Sequence, residues 1–141
     1  MPKTALVLSG GGAKGAFGAG LLTGWSAAGT RPEFTIVTGI STGALSAPFA
    51  FLGPEYDPVL REIYTSYSTD DLLIKRSLLT VFTRSSVMDS APLREKISEY
   101  ITPKVMEKIA AEGRKGRRLL IGTVNRDVAR PVTWDITIIA G

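Results

Sequence analysis

The passage Phe34-Thr35-Ile36-Val37-Thr38-Gly39-Ile40-Ser41-Thr42-Gly43-Ala44-Leu45 decides the reading of this chain. An apolar run over 34–38 reads as a buried strand. The stretch from Thr42 to Leu52, with Leu45, Phe49 and Leu52 at helical spacing, reads as a helix, and Pro48 should remove one of its hydrogen bonds or kink it. Between them stands Gly39-Ile40-Ser41-Thr42-Gly43, a G-x-S-x-G pattern. In a strand–turn–helix setting that pattern is a candidate nucleophile elbow, a sharp turn that holds a serine hydroxyl clear of its neighbours. Gly39 and Gly43 let backbone and substrate approach closely.

A second feature lies upstream. Residues 4–9 read as a buried strand ending in Ser9-Gly10-Gly11-Gly12-Ala13-Lys14-Gly15. Glycines can turn their N–H groups inward where a β-carbon would clash, and a helix starting near Gly15 adds the positive end of its dipole. Gly10, Gly11, Gly12, Lys14 and Gly15 are therefore candidates for an oxyanion hole, and Ser41 for the nucleophile it serves.

Composition narrows the chemistry. With no cysteine the chain has no disulfide, thiol nucleophile or thiolate metal site. With no histidine it cannot build a Ser-His-Asp triad or a His-ligated metal site, so a base for Ser41 must be Asp, Glu or Lys, or come from another chain. The net charge of +4 is carried partly by Arg114-Lys115-Gly116-Arg117-Arg118. Its plain reading is a solvated loop between helix and strand; its functional reading is attraction to anionic phospholipid headgroups, a peripheral membrane contact. No aromatic residue is interleaved with this run, which argues against nucleic acid. The first apolar run is too short for a signal peptide, and no stretch reaches the roughly 18 apolar residues of a membrane span, so the expected location is cytoplasmic or peripheral to a membrane.

The remaining chain reads as follows. Phe17, Leu21, Trp25 and Ala28 fall at helical spacing, predicting a helix over 16–28; Gly18, Gly20 and Gly24 weaken it unless they pack closely on a sheet. Asp57-Pro58 reads as an N-cap and first helical position, with Val59, Ile63 and Tyr67 following. Residues 70–90 are apolar but broken by Lys75-Arg76-Ser77, readable as a lid, a membrane-touching segment or a buried helix. Ser90 caps a helix bearing Leu93, Ile97, Tyr100 and Ile101, and Thr102-Pro103 starts another that Gly113 stops. Leu119 to Val124 is a third strand, and alternation from Val132 to Ile138 predicts a fourth, with Asp135 facing outward to solvent. The order predicts a single α/β three-layer domain with a mainly parallel central sheet over residues 1–141.

Two nucleotide readings compete. Gly10, Gly12 and Gly15 also match G-x-G-x-x-G, but the second strand ends without the acidic residue that would hold a ribose hydroxyl. The P-loop pattern fails because Lys14 precedes Gly15 and does not lead into Ser or Thr.

The two glycine blocks, in this order and at this separation after their strands, resemble the patatin-like phospholipase family. The resemblance is looser through Met88-Asp89-Ser90-Ala91-Pro92-Leu93-Arg94 and through Leu120 to Val132. It implies a serine lipid acyl hydrolase of phospholipase A or esterase type, working through an acyl-enzyme. A Ser-Asp dyad would operate without histidine, metal or organic cofactor, on phospholipids or other fatty-acyl esters. Ser41 would attack the ester, and Lys14 stands where many members have arginine. The family's aspartate lies downstream in Asp-Gly-Gly or Asp-Gly-Ala, whereas Asp57, Asp70, Asp71, Asp89, Asp127 and Asp135 are each followed by another residue. The expectation is therefore an N-terminal part of a longer domain, inactive or nearly so by itself and prone to self-association through unpaired edges. The alternative is a non-catalytic lipid- or partner-binding module that keeps the glycine loops as structure.

Overall fold

The computed structural model describes residues 3–11, 14–65, 91–125 and 127–141, the side chains of 91–94 and 96 excepted. Tyr67, the segment 70–90 with the Ser90 cap, Gly12 and the Leu93 side chain therefore lie outside the described residues. The elements are β1 (Ala5–Leu8), α1 (Gly15–Ala27), β2 (Ile36–Ile40), α2 (Thr42–Leu52) and a 3-10 turn (Pro54–Tyr56). After these come α3 (Asp57–Thr65), α4 (Ala91–Tyr100), α5 (Pro103–Arg114), β3 (Arg118–Asn125), β4 (Arg130–Asp135) and a single helical turn, α6 (Ile136–Ile139).

The strands form one sheet in the order β1-β2-β3-β4. The first three are parallel, with Leu6 beside Val37 and Val37 beside Leu119; β4 returns antiparallel, Ile121 opposite Trp134. This is an α/β domain on a mainly parallel sheet, as the alternation of strand and helix predicts. Leu6, Val37 and Leu119 share one face, and Leu22 of α1, Phe49 of α2, Leu60 and Ile63 of α3, and Val105 and Ile109 of α5 close a core over it. On the opposite face Val7, Ile40 and Val124 are exposed.

Helix α2 is the centre of this packing. Seven of its residues, from Gly43 to Phe51, are buried, and the helix runs through Pro48. It is apolar on nearly every side because it is enclosed by the sheet, α1, α3 and α5. Helix α1 departs from the simple stripe: Ala19 and Leu22 are buried, whereas Phe17 is 78% exposed and Leu21 58%. Of its glycines only Gly18 lies beside the sheet, near the Leu8 side chain, while Gly20 and Gly24 face open space.

The basic run is built into the fold. Arg117 is buried; its guanidinium donates to the Phe34 and Phe51 carbonyls and pairs with Glu112, and it stacks over the Phe51 ring. Arg118 donates to the Gly113 carbonyl and pairs with Asp135, and Lys115 pairs with Glu112. A planar guanidinium with several donors can join two carbonyls and a carboxylate at once, which an ammonium cannot match. Arg31 does similar work at the end of α2, bonding the Ala50 carbonyl and Asp57.

Several expected boundaries move. The alternation from Val132 does not continue as a strand to Ile138: β4 stops at Asp135, and the chain turns into α6. The Asp135 carboxylate accepts from the Ile138 N–H and the Thr137 hydroxyl, so it is a half-buried N-cap paired with Arg118 and not a solvated outward position. Gly113 does not stop α5 either. It lies inside that helix and faces Thr137, where a β-carbon would come 2.8 Å from that of Thr137; the left-handed glycine is Gly116, at φ 93°. Asp57 is the first residue of α3, and its carboxylate turns to Arg31. Thr102 caps α5 as expected, its hydroxyl accepting from the Val105 N–H.

Candidate active site

The site lies where β1 and β2 end. Ser41 is the single residue between β2 and α2, at φ 58°, ψ −126°. Positive φ in a residue with a β-carbon is sterically costly and persists only where the surroundings over-determine it. Those surroundings are the two flanking glycines. A β-carbon on Gly39 would stand 2.5 Å from the Gly43 carbonyl oxygen and 2.8 Å from the Ala47 β-carbon. One on Gly43 would collide with the Leu8 carbonyl. Glycine at both places therefore lets α2 turn back tightly on β2 and seat its first turn on the end of β1. The Ala44 N–H donates to the Ser41 carbonyl at 2.9 Å and closes the turn.

The glycine loop reaches the same place. A β-carbon on Gly10 would come 2.9 Å from that of Ser41 and 3.4 Å from its Oγ. Gly10 and Ser41 are thus in contact across two loops far apart in sequence. Gly11 follows, its carbonyl accepting from the Lys14 N–H at 3.1 Å. That bond engages the Lys14 amide within the loop and leaves the ammonium on an exposed side chain. Gly15 faces elsewhere: a β-carbon there would stand 2.7 Å from the Tyr64 hydroxyl.

Tyr64 of α3 has no counterpart in the motif reading. Its hydroxyl lies 2.9 Å from Ser46 Oγ and donates, at a longer 3.4 Å, to the Thr42 carbonyl. Burial pushes the phenol pKa up, outweighing the Ser46 hydrogen bond that works to lower it, so the group is neutral across the ordinary pH range. Its place follows from α3, whose buried stripe of Leu60 and Ile63 runs on to Tyr64. Periodicity could have marked it as half-buried; its partners on α2 carry no sequence signal. Nearby, Thr42 Oγ1 is buried without a hydrogen-bond partner among the described residues.

Three carboxylates among the described residues are engaged in the fold. Asp57 is bound to Arg31, Asp135 caps α6, and Glu112 is held by Lys115 and Arg117. Asp127 lies in the turn between β3 and β4. Among the described residues none hydrogen-bonds the Ser41 hydroxyl. Asp70, Asp71 and Asp89 lie outside the described residues. No group of three or more potential metal ligands is found among the described residues, nor any helix long and apolar enough to cross a membrane.

Ser41, at positive φ between two close-packed glycines, thus meets a glycine loop from the preceding strand. A family model for patatin-like phospholipases matches residues 6–138, nearly the whole chain. The chain belongs to the patatin-like phospholipase family. The patatin-like match runs from β1 into α6 and takes in both glycine loops. Membership places the protein among lipid acyl hydrolases in general terms. No curated protein and no solved structure matches the chain.

Proposed function

We propose that Ser41 is the nucleophile of a serine lipid acyl hydrolase that cleaves carboxylic ester bonds of phospholipids or related fatty-acyl esters. The observation that carries this reading is the positive-φ conformation of Ser41 in contact with Gly10. Strain of this kind has no use in a plain strand-to-helix turn, whereas in a nucleophile elbow it is what presents the serine hydroxyl.

In this reading Ser41 Oγ attacks the ester carbonyl carbon while a carboxylate takes its proton. The carbonyl oxygen becomes an oxyanion beside the loop of Gly10, Gly11 and Gly12. There the backbone N–H groups, the Lys14 ammonium and the positive end of α1 at Gly15 oppose its charge. Collapse expels the alcohol with a proton and leaves the acyl group on Ser41; water, activated by the same carboxylate, then frees the fatty acid. The base is an aspartate other than Asp57 and Asp135, whose carboxylates are engaged in the fold. Peripheral contact with an anionic membrane belongs to the proposal through the phospholipid substrate. Arg117 and Arg118 have structural work of their own, so the basic run is a weak argument for it.

The test is a fluorophosphonate probe followed by mass analysis of the Ser41 peptide. Labelling that Ser41→Ala abolishes, in this chain or in one extended past Gly141, is the expected result. If this chain stays unlabelled and one extended past Gly141 is labelled, the base lies downstream. If neither takes the probe while lipid vesicles still bind, the protein is a binding module that keeps the loops as structure.

A further inference from the structure

We propose that Tyr64 is a positioning residue of this site, its hydroxyl latching the first turn of α2 from behind and so fixing the backbone N–H of Thr42. The inference rests on the reading of Ser41 as nucleophile, because the N–H of the residue after a nucleophile is the natural second donor to an oxyanion. It goes beyond the glycine loop, which supplies donors from the other side.

Three observations converge on the phenol. First, the peptide planes on both sides of Thr42 are held. The Ser41 carbonyl accepts from the Ala44 N–H, and the Thr42 carbonyl accepts from Tyr64. Second, Ser46, one turn further along α2 and buried, bonds the same hydroxyl at 2.9 Å. With the phenol proton on the Thr42 carbonyl, Ser46 donates to Tyr64, so the bonds run in sequence from Ser46 through Tyr64 to the turn. Third, Tyr64 reaches this point by passing over Gly15, where a β-carbon would be 2.7 Å from the hydroxyl and 3.2 Å from the ring. One side chain on α3 therefore touches the start of the helix behind the glycine loop and the start of the helix behind Ser41. A phenol does this without adding charge, since burial keeps it neutral.

The N–H groups at the start of a helix have no partner within it, so their direction is set only by the turn that carries them. Donors aimed in advance at a developing charge need no reorganisation during reaction, and small misplacements are costly. The latch supplies that rigidity at Thr42.

The experiment compares wild type, Tyr64→Phe, Ser46→Ala and the double variant by hydrogen–deuterium exchange and by fluorophosphonate labelling kinetics. Tyr64→Phe keeps the ring and removes only the hydroxyl. The expected result is exchange at the amides of residues 42–46 raised about tenfold, the scale of one lost buried hydrogen bond. β2 and β3 should stay as protected as in wild type. Labelling of Ser41 should slow by about the same factor in the maximal rate, with the half-saturating probe concentration unchanged, and the double variant should be no worse than the worse single one. Unchanged exchange at 42–46 in Tyr64→Phe overturns the latch, whether or not wild type takes the probe. Raised exchange with labelling at the wild-type rate overturns its bearing on the reaction. An exchange effect in a protein that takes no probe, either as this chain or extended past Gly141, supports the latch and counts against Ser41 as nucleophile.

Discussion

Gly10 and Ser41 touch: a β-carbon on the first would lie 2.9 Å from that of the second, nearer than real side chains come. Neither atom is the free end of a flexible side chain, so any residue larger than glycine at position 10 must displace the loop or the serine. Gly10→Ala is expected to slow fluorophosphonate labelling of Ser41 about 100-fold, the usual cost of misplacing reacting groups by about 1 Å. An alanine variant that labels at the wild-type rate would remove Gly10 from the site.

The strain at Ser41 gives a separate prediction. Glycine adopts φ 58°, ψ −126° without the penalty that a β-carbon incurs. Ser41→Gly should therefore raise the urea midpoint by the equivalent of about 1 kcal/mol, and Ser41→Ala should leave it near wild type. Both should abolish labelling. Equal midpoints for the two variants would show that the turn is relaxed.

Gly43 meets backbone, not side chain. Its added β-carbon would run into the Leu8 carbonyl, and nothing there can rotate away. Gly43→Ala should destabilise the fold by about 3 kcal/mol, the upper end of ordinary overpacking, since β1 and α2 must move apart. Chemical denaturation measures this directly, and a loss within 0.5 kcal/mol (about the scatter of surface substitutions) would contradict the packing.

Glu112 sets an acid limit on stability. Burial works to raise its pKa, but hydrogen bonds and charge from Lys115 and Arg117 outweigh it and leave the carboxyl below the ordinary glutamate value. A depressed folded pKa stabilises above the unfolded pKa, and that contribution is lost as pH falls through the folded one. Thermal midpoints should therefore fall as pH drops through about 4.5 and below. Glu112→Gln should flatten that limb while lowering stability at neutral pH. Arg117→Met should cost about 3 kcal/mol, because it strips the buried Phe34 and Phe51 carbonyls and Glu112 of one shared donor. A wild-type acid limb surviving in Glu112→Gln would assign the titration to another group.

Much of the architecture was legible because local patterns carried it. The apolar runs ending in glycine marked β1 and β2. Thr102-Pro103 marked the start of α5 through a hydroxyl cap that the structure contains. The G-x-S-x-G turn was legible with its glycines, since close packing there follows from the sharpness of the turn. Alternation failed at Ile136–Ile139, where period-two spacing could not compete with the Asp135 cap and the packing of Thr137 on Gly113. Helix α1 was legible as a helix but not in its buried face. A helix apolar on all sides offers no contrast to orient it, and neighbours decided that Leu22 goes in and Phe17 out.

The sequence by itself determined the element order, the two glycine loops and the absence of histidine and cysteine, because these depend on residue type and near neighbours alone. Only the tertiary structure decided that Gly10 meets Ser41, that the Arg117 charge is buried against two carbonyls, and that Tyr64 stands behind the elbow. Each of those joins residues 18 or more positions apart, as the 83 positions between Arg117 and Phe34 illustrate. At such separations contact is set by strand register and helix packing, and no local period or motif encodes it.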